Sequence, residues 1–418
     1  MALSLELPVV QKWSCHNCGG CCRQHLIEIT DAERERIQRQ DWAASGEIGD
    51  REPVVPLSRW PKRWRLNHTP DGACVFLTDE GLCRIHAKFG EAAKPLACRV
   101  YPYAFHPSVD GRVTVSLRYS CPSVVANRGA TSQSASAEIR RLANEVVRTE
   151  TKDIPPPAVS AKERLDWKAV GRIVDHLDAS FAEPSESFLR SLLGTIFWMS
   201  LLDQSRFDKL QGERFEEFLS LIRPAAAGEV PADLHEFTEP TRAGRLMFRS
   251  ILGQYARLET VADLEHPWAA RLRNVRGLAR MSRGEGTLPE MRDELHAIPF
   301  EQLEQPFGWP EAADELFTRY LRTKIRGMHF CGSAFYNWSL TEGFFALALV
   351  IPITLYMARW LAAGEGRTKL TDDDLGRALA IVDHHHGYSP TLGGASARRR
   401  IRLLAQGDLP KLCVWYAR

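Results

Sequence analysis

Four of the ten cysteines in this 418-residue chain fall within eight positions, in the stretch CHNCGGCC that runs from Cys15 through Cys18 to the adjacent pair Cys21 and Cys22. Thiolates spaced as C-x2-C are the usual mark of a metal site in a chain kept in a reducing compartment. Cys74, Cys83, Cys98 and Cys121 follow, and only Cys331 and Cys413 lie beyond them, where they read as small buried hydrophobes. Eight thiols in one N-terminal unit point to metal ligation rather than a disulfide framework, because adjacent cysteines are poor disulfide partners for each other. Zinc and iron-sulfur clusters both accept four cysteine ligands, so the spacing is compatible with either. Eight ligands make two four-cysteine sites, or one such site with the spare thiols buried or placed around it. The pair Cys21 and Cys22 gives two ligands to one centre, or one ligand to each of two neighbouring centres. Successive side chains diverge, which makes the second arrangement physically easier. His16, His25, His86 and His106 stand in reserve as replacements for single thiols. No nucleophile or general base rises above its surroundings, so the catalytic residues are unknown.

These ligands need elements to position them. The run CVFLTDEGLCRIH reads as strand, turn and strand, with Thr78-Asp79-Glu80-Gly81 as the turn and Cys83 opening the return strand beside Cys74. KPLACRVYP sets Cys98 in a loop stiffened by Pro95 and Pro102. The alternating run RVTVSLRYSC is a strand that delivers Cys121. Arg23, Arg84 and Arg99 each follow a cysteine directly and Arg118 precedes Cys121 by three, a placement that would compensate the negative charge of a thiolate site if these side chains turn inward.

Together, CHNCGGCC, GACVFL, GLCRIH, KPLACRVYP and CPS resemble the YkgJ-type cysteine-cluster family of zinc- or iron-chelating proteins, over about the first 125 residues. The cluster-first order, the overall length and the segments LFTRYLRTKIRGMHF and EGFFALALVIPITLYMARWLA are similar to a larger branch that includes the flagellin lysine N-methylases, FliB-like proteins. That second resemblance implies transfer of a methyl group from S-adenosylmethionine to lysine side chains of a protein substrate. The chain carries neither the glycine-rich strand-to-helix turn of dinucleotide folds nor the C-x3-C-x2-C spacing of radical chemistry.

At 44% hydrophobic and 25% charged residues the chain is of the ordinary globular class. A net charge of +2, with neither half strongly basic, argues against a dedicated nucleic-acid binder. MALSLELPVV has Glu6 inside its apolar stretch and no basic flank, so it does not read as a secretory signal and a cytoplasmic location is expected. The uncharged run Gly343 to Ala358 falls short of the roughly 20 residues a bilayer crossing needs, and a buried core helix in a soluble protein is expected there, with no membrane partner.

Beyond the cysteines the pattern is helical. SFLRSLLGTIFWMSLL spaces Phe188, Leu192, Ile196 and Met199 on one broad apolar face. TDDDLGRALAIVDHHHG shows a helix from its N-cap Thr371 to Gly387 just past its end. His384, His385 and His386 diverge by about 100° each around that helix, so they cannot all meet one ion, and as last-turn cations they suit the helix dipole. In RWPKRWRLNH, Trp60 and Trp64 are expected to cover the small cysteine unit while Arg59, Lys62, Arg63 and Arg65 face water, rather than to stack on nucleic acid.

The fold class is therefore mainly α, a small cysteine-rich α+β metal-binding module followed by an irregular α-helical domain. The expected boundaries are 1–130 for the module, 131–162 for a linker with a possible helix in EIRRLANEVVR, and 163–418 for the helical domain. The leading functional expectation is a cluster-dependent protein lysine N-methylase. Its alternatives are a non-catalytic zinc-stabilised protein-interaction module and an iron-sulfur electron carrier. The oligomeric state is left open.

Overall fold

The computed structural model describes residues 3–8, 10–58, 60–108, 112–147, 154–182, 187–208, 210, 212–258 and 260–418, with Ala43 described by its backbone alone. Arg59 and residues 148–153 of the expected linker, which include the last residue of EIRRLANEVVR, lie outside the described residues.

The fold is mainly α, with strands confined among the described residues to the N-terminal part. These strands are β1 (Ser4–Glu6), β2 (Lys12–Trp13), β3 (Glu28–Ile29), β4 (Val54–Ser58), β5 (Arg63–Leu66), β6 (Tyr103–Pro107), β7 (Arg112–Leu117) and β8 (Ala130–Thr131). They form three small sheets. β7 lies between β1, to which it runs parallel from Ser4 against Arg112, and β6, antiparallel from Tyr103 against Leu117. β5 lies between β3 and β4, all antiparallel, and β2 pairs with β8.

Strand β7 explains how this part meets the helices. Its alternation puts Val113, Val115 and Leu117 on one face and Thr114 and Ser116 on the other, and all five are buried. The polar face is tolerated because the helix Ala313–Arg326 ends against it: Thr114 Oγ1 donates to the Gly327 carbonyl at 2.9 Å and Ser116 Oγ to the Thr323 carbonyl at 3.5 Å. The two hydroxyls thus add donors at the helix end, to the Gly327 carbonyl and to the Thr323 carbonyl that the Gly327 amide also reaches. A Cβ at Gly327 would press into the Ser116 Cβ and the Thr323 carbonyl oxygen, so the close approach depends on glycine there.

The helices pack around Leu340–Gly364, whose residues from Leu340 to Ala363 are all buried. Among the described residues it is the one helix long and apolar enough to cross a membrane, and it lies wholly inside the protein, as the core-helix expectation requires. Ser339 and Glu342 close a capping box at its start. Helices Phe188–Gln204, Asp372–His385, Ala395–Ala405 and Asp408–Ala417 surround it. The sequence-derived helices are present, including Ser136–Val146 over EIRRLANEV, and Thr371 caps Asp372–His385 with Asp374 completing its box.

Two apolar clusters result. The smaller contains Ile29, Ile37, Trp42, Val54, Phe76 and Ile85, with Cys74 buried in it and Cys22, Cys83 and Cys98 packed on it. The larger runs without a break from β6, β7 and Cys121 through the whole helical part.

Candidate metal centre

The first four cysteines ride on a loop and one short helix. Asn17 and Gly19 take positive φ, of 56° and 67°, and Gly19 caps the helix Gly20–Gln24, which carries Cys21 and Cys22. The Thr78–Leu82 turn packs directly onto this loop at Gly81, where φ is 79° and a Cβ would run into the Asn17 carbonyl oxygen. The Cys74 amide donates to the Cys22 carbonyl at 2.8 Å, fastening the second cysteine segment to the first.

The sequence-expected hairpin is only partly present. Leu77 bridges Cys83 and His68 bridges Cys74, but no return strand follows, because Cys83 caps the helix Arg84–Phe89. The KPLACRVYP loop is likewise the helix Leu96–Val100, capped by Pro95, with Cys98 inside it. Proline at the cap and a short apolar stretch suit a helical turn better than a loop. β7 delivers Cys121 as expected, and Cys121 then caps Pro122–Val125.

All ten cysteines are free thiols, with Cys331 and Cys413 buried in the helical core. Seven of the eight N-terminal ones, Cys15, Cys18, Cys21, Cys22, Cys83, Cys98 and Cys121, line one open cavity of about 480 Å³. Cys15 and Cys18 are exposed at its mouth, and Cys121 is buried. Cys74 is buried in the smaller apolar cluster, close enough to feel Cys98, Cys83 and Cys21 electrostatically. Cys121 feels Cys18 instead, and Cys18 and Pro122 both stand beside Gly20. Cys21 and Cys22 face each other at 4.0 Å between Sγ atoms. Among the described residues no three His, Cys, Asp or Glu side chains stand at metal-holding distance of one point, so the thiols ring a space rather than a point. Burial pushes the Cys74 and Cys98 thiols up to about 12, and the contact with Cys22 followed by burial raises Cys21 further.

The expected arginine compensation is not built as the sequence reading had it. Arg23 turns outward to Asp71 and Arg99, at the cavity wall, pairs with Glu145 at 2.6 Å. Lys94 is the cation whose field acts on Cys21 and Cys98. The reserve histidines divide: His86 lines the cavity, whereas His25 and His106 turn toward the helical part. In the basic-aromatic patch Trp60 is 93% exposed and covers nothing, while Arg65 is buried on His68 Nδ1. Trp64 is half-buried, stacked under Arg34 and Lys62.

Behind the cavity lies a polar chain that the sequence did not reveal. Tyr101, at the cavity wall, shares a 3.1 Å hydrogen bond with Ser120 Oγ. The Ser120 amide donates to Asp383 Oδ2 at 3.1 Å, Asp383 Oδ1 is 2.7 Å from Lys324 Nζ, and Lys324 meets His329 Nδ1 at 3.3 Å. The Asp383–Lys324 contact is an ion pair rather than an aligned hydrogen bond, and Lys324 donates to the Leu117 carbonyl at 3.1 Å. Beside it, His25 stacks on His384 at 4.8 Å, and Arg118 lies over Tyr388 at 3.8 Å while donating to the His384 carbonyl.

The three consecutive histidines do diverge, His384 toward His25 and His386 toward Tyr255. They are not cations for a helix dipole, however. Burial holds His385 and His386 down to about 3 and His384 lower still, so all three are neutral. Lys324 had one signal in the sequence: it follows Phe317 and Tyr320 on the apolar stripe of its helix, where a surface lysine does not belong.

No curated protein and no solved structure matches the chain. Residues 14–122, which span all eight clustered cysteines, match the CxxCxxCC family, described as a "Putative zinc- or iron-chelating domain".

Proposed function

We propose that the N-terminal module chelates a zinc or iron centre of more than one metal atom through the thiolates of Cys15, Cys18, Cys21, Cys22, Cys74, Cys83, Cys98 and Cys121. The observation that carries this reading is the gathering of seven thiols around one open cavity, with the eighth behind its wall. Soft thiolates select zinc or iron-sulfur clusters over hard cations, and eight of them exceed what one tetrahedral ion takes. Cys22, Cys74, Cys83 and Cys98 pack on the small apolar cluster and Cys18 lies within the field of Cys121, while Cys21 touches Cys22 and acts on Cys74 and Cys98. Cys21 thus adjoins the set on the small apolar cluster, beside Cys22. A reducing cytoplasm, in which such thiols stay free for metal, belongs to this proposal.

Metal and acid-labile sulfide analysis of protein purified without oxygen tests it. More than one zinc or iron per chain is the expected result, with sulfide marking an iron-sulfur centre, and Cys21→Ser with Cys22→Ser should lower the metal content. A single zinc per chain, or none, overturns the polynuclear reading.

A second reading, a protein-modifying enzyme, draws its support from the polar chain that runs from Tyr101 at the cavity wall to buried Lys324. Perturbed buried ionisable groups beside an open cavity are the usual company of an active site. The lysine side chains of a partner protein as substrate and S-adenosylmethionine as methyl donor come from the resemblance to flagellin lysine N-methylases. Calorimetric titration of the metal-loaded protein with S-adenosylmethionine checks the donor. Absence of binding removes the methylase and leaves the zinc-stabilised interaction module or the electron carrier.

A further inference from the structure

The helix Pro267–Arg283 is apolar on two opposite faces. Ala270 and Met281 are buried on the inner one, where it packs on the helix Arg242–Ala256. On the outer one Trp268, Leu272 and Val275 are 80%, 52% and 57% exposed, and Leu264 in the preceding turn is 39% exposed. Steps of four and three put Trp268, Leu272 and Val275 on one stripe, which Ala279 continues. Single exposed apolar residues are ordinary on a protein surface, but a tryptophan-led stripe along a whole helix marks a contact surface.

Charge says what the contact is. The helix carries Arg271, Arg273, Arg276, Arg280 and Arg283 and no carboxylate. At about 100° per residue, Arg271 stands roughly 60° to one side of Trp268, and Arg276 and Arg283 roughly 80° and 60° to the other. Arg280 and Arg283, in the last turn, also suit the helix dipole, and Arg273 pairs with Asp263. Arg271 and Arg276 have no such role. On the second flank a cavity of about 480 Å³ adjoins the stripe: Leu272 belongs to both, and Arg273, Arg276 and Arg280 line the cavity with Met291 and a single carboxylate, Glu290.

We propose that this helix docks on an anionic phospholipid surface. Trp268, Leu272 and Val275 enter the boundary between headgroups and acyl chains, where tryptophan is at home. The arginines on both flanks meet phosphates at the same depth, and the basic cavity beside Leu272 receives a headgroup. An acidic protein would need a trough apolar along its floor and negative on both rims. A lipid surface offers that combination everywhere.

Flotation of the full-length, metal-loaded protein with phosphatidylcholine vesicles, with and without phosphatidylglycerol, tests the inference. Binding to the phosphatidylglycerol vesicles alone, weakening as salt rises, is expected. Each arginine near such a surface contributes roughly a fivefold factor, so Arg276→Glu with Arg280→Glu should lower the partition by about 20-fold or more. Trp268→Ser with Leu272→Ser should lower it as well, with the residual binding still weakening as salt rises. All four positions are exposed, so unchanged metal content and thermal midpoint are the fold check, and Leu272→Ser alone serves if a double variant fails it. Equal binding to both vesicles, undiminished binding by the variants, or no binding to vesicles beside capture by an acidic protein would each overturn the proposal.

Discussion

Lys324 Nζ lies 2.7 Å from Asp383 Oδ1, and neither side chain reaches solvent. The pair sits where β7, the helix Ala313–Arg326 and the end of the helix Asp372–His385 come together, so it ties the part that bears Cys121 to the helical core. Burial lowers the Lys324 ammonium from its ordinary value and Asp383 opposes that shift. Lys324→Met would strand a carboxylate whose remaining donor is the Ser120 amide, at a cost of roughly 3–5 kcal/mol. Lys324→Met with Asp383→Leu should recover most of it, because two apolar groups replace two charges. Denaturant titrations followed by helical circular dichroism make the comparison. A single variant as stable as the parent would remove the pair from what holds this seam.

The buried histidines set a pH dependence. Burial, with Lys324 acting on His329 and His386 and Arg292 on His385, holds all three below the ordinary range, and Asp383 only partly offsets this at His386. The folded protein keeps them neutral while the unfolded chain binds protons below about pH 6.5, so their contribution is complete above that pH and drains away as pH falls toward about 3. His25, His106 and His384 are lowered by burial as well, and each such group adds up to about 1.4 kcal/mol per pH unit to the slope inside its window. Thermal midpoints taken from pH 7 to pH 5 should fall steeply, and His386→Phe should shallow the slope by one group's share, about 1.4 kcal/mol per pH unit at most. A flat profile would mean these rings are hydrated.

Much of this was legible in the sequence, for a physical reason: periodicity and spacing are local. Phe188, Leu192, Ile196 and Met199 marked their helix and Thr371 the start of another, because a face and a cap are written within a few residues. The eight cysteines declared themselves by spacing and were found around one cavity, apart from Cys74 behind its wall. What failed was tertiary. Cys83 caps the helix Arg84–Phe89 and Cys98 lies inside Leu96–Val100, so both ride on helical turns rather than on a strand or a loop. Arg118 spends its guanidinium on Tyr388 and His384, contacts 270 and 266 positions away, and no local pattern announces them. The neutrality of His384, His385 and His386 likewise comes from what covers them, which a helix-dipole argument does not see.

Gly81 should matter to the metal site without touching metal. Its positive φ and its contact with the Asn17 carbonyl leave no room for a Cβ. Gly81→Ala would push the Thr78–Leu82 turn away from the loop that holds Cys15 and Cys18, at a strain cost of roughly 1–3 kcal/mol. Metal content after reconstitution is expected to drop while helical circular dichroism stays near that of the parent. Gly72, also at positive φ but with open space around it, is the control: Gly72→Ala carries the backbone strain alone and should retain its metal. Equal metal content in both variants would separate the turn from the site.

Arg359 offers the sharpest stability test of the helical core. It sits unexposed toward the C-terminal end of the core helix with no Asp or Glu among its hydrogen-bond partners. Its guanidinium donates instead to the carbonyls of Leu303, Gln305, Tyr416 and Arg418, at 2.8 to 3.0 Å, and lies over the rings of Phe307 and Tyr416. Burial brings it down to about 10, still charged at neutral pH. The planar fork thus clamps the chain's last helix and the Phe300–Leu303 turn onto the core helix. Arg359→Leu leaves the buried Leu303 and Tyr416 carbonyls without this donor, each worth about 1–3 kcal/mol when stranded, and should cost roughly 2–6 kcal/mol. Arg359→Lys keeps the charge but reaches fewer of the four, so it is expected to fall between. Because Cys74 and its neighbours sit in the separate small cluster, metal content should survive the lysine variant. A leucine variant as stable as the parent would show that water or a shifted C-terminus replaces the clamp.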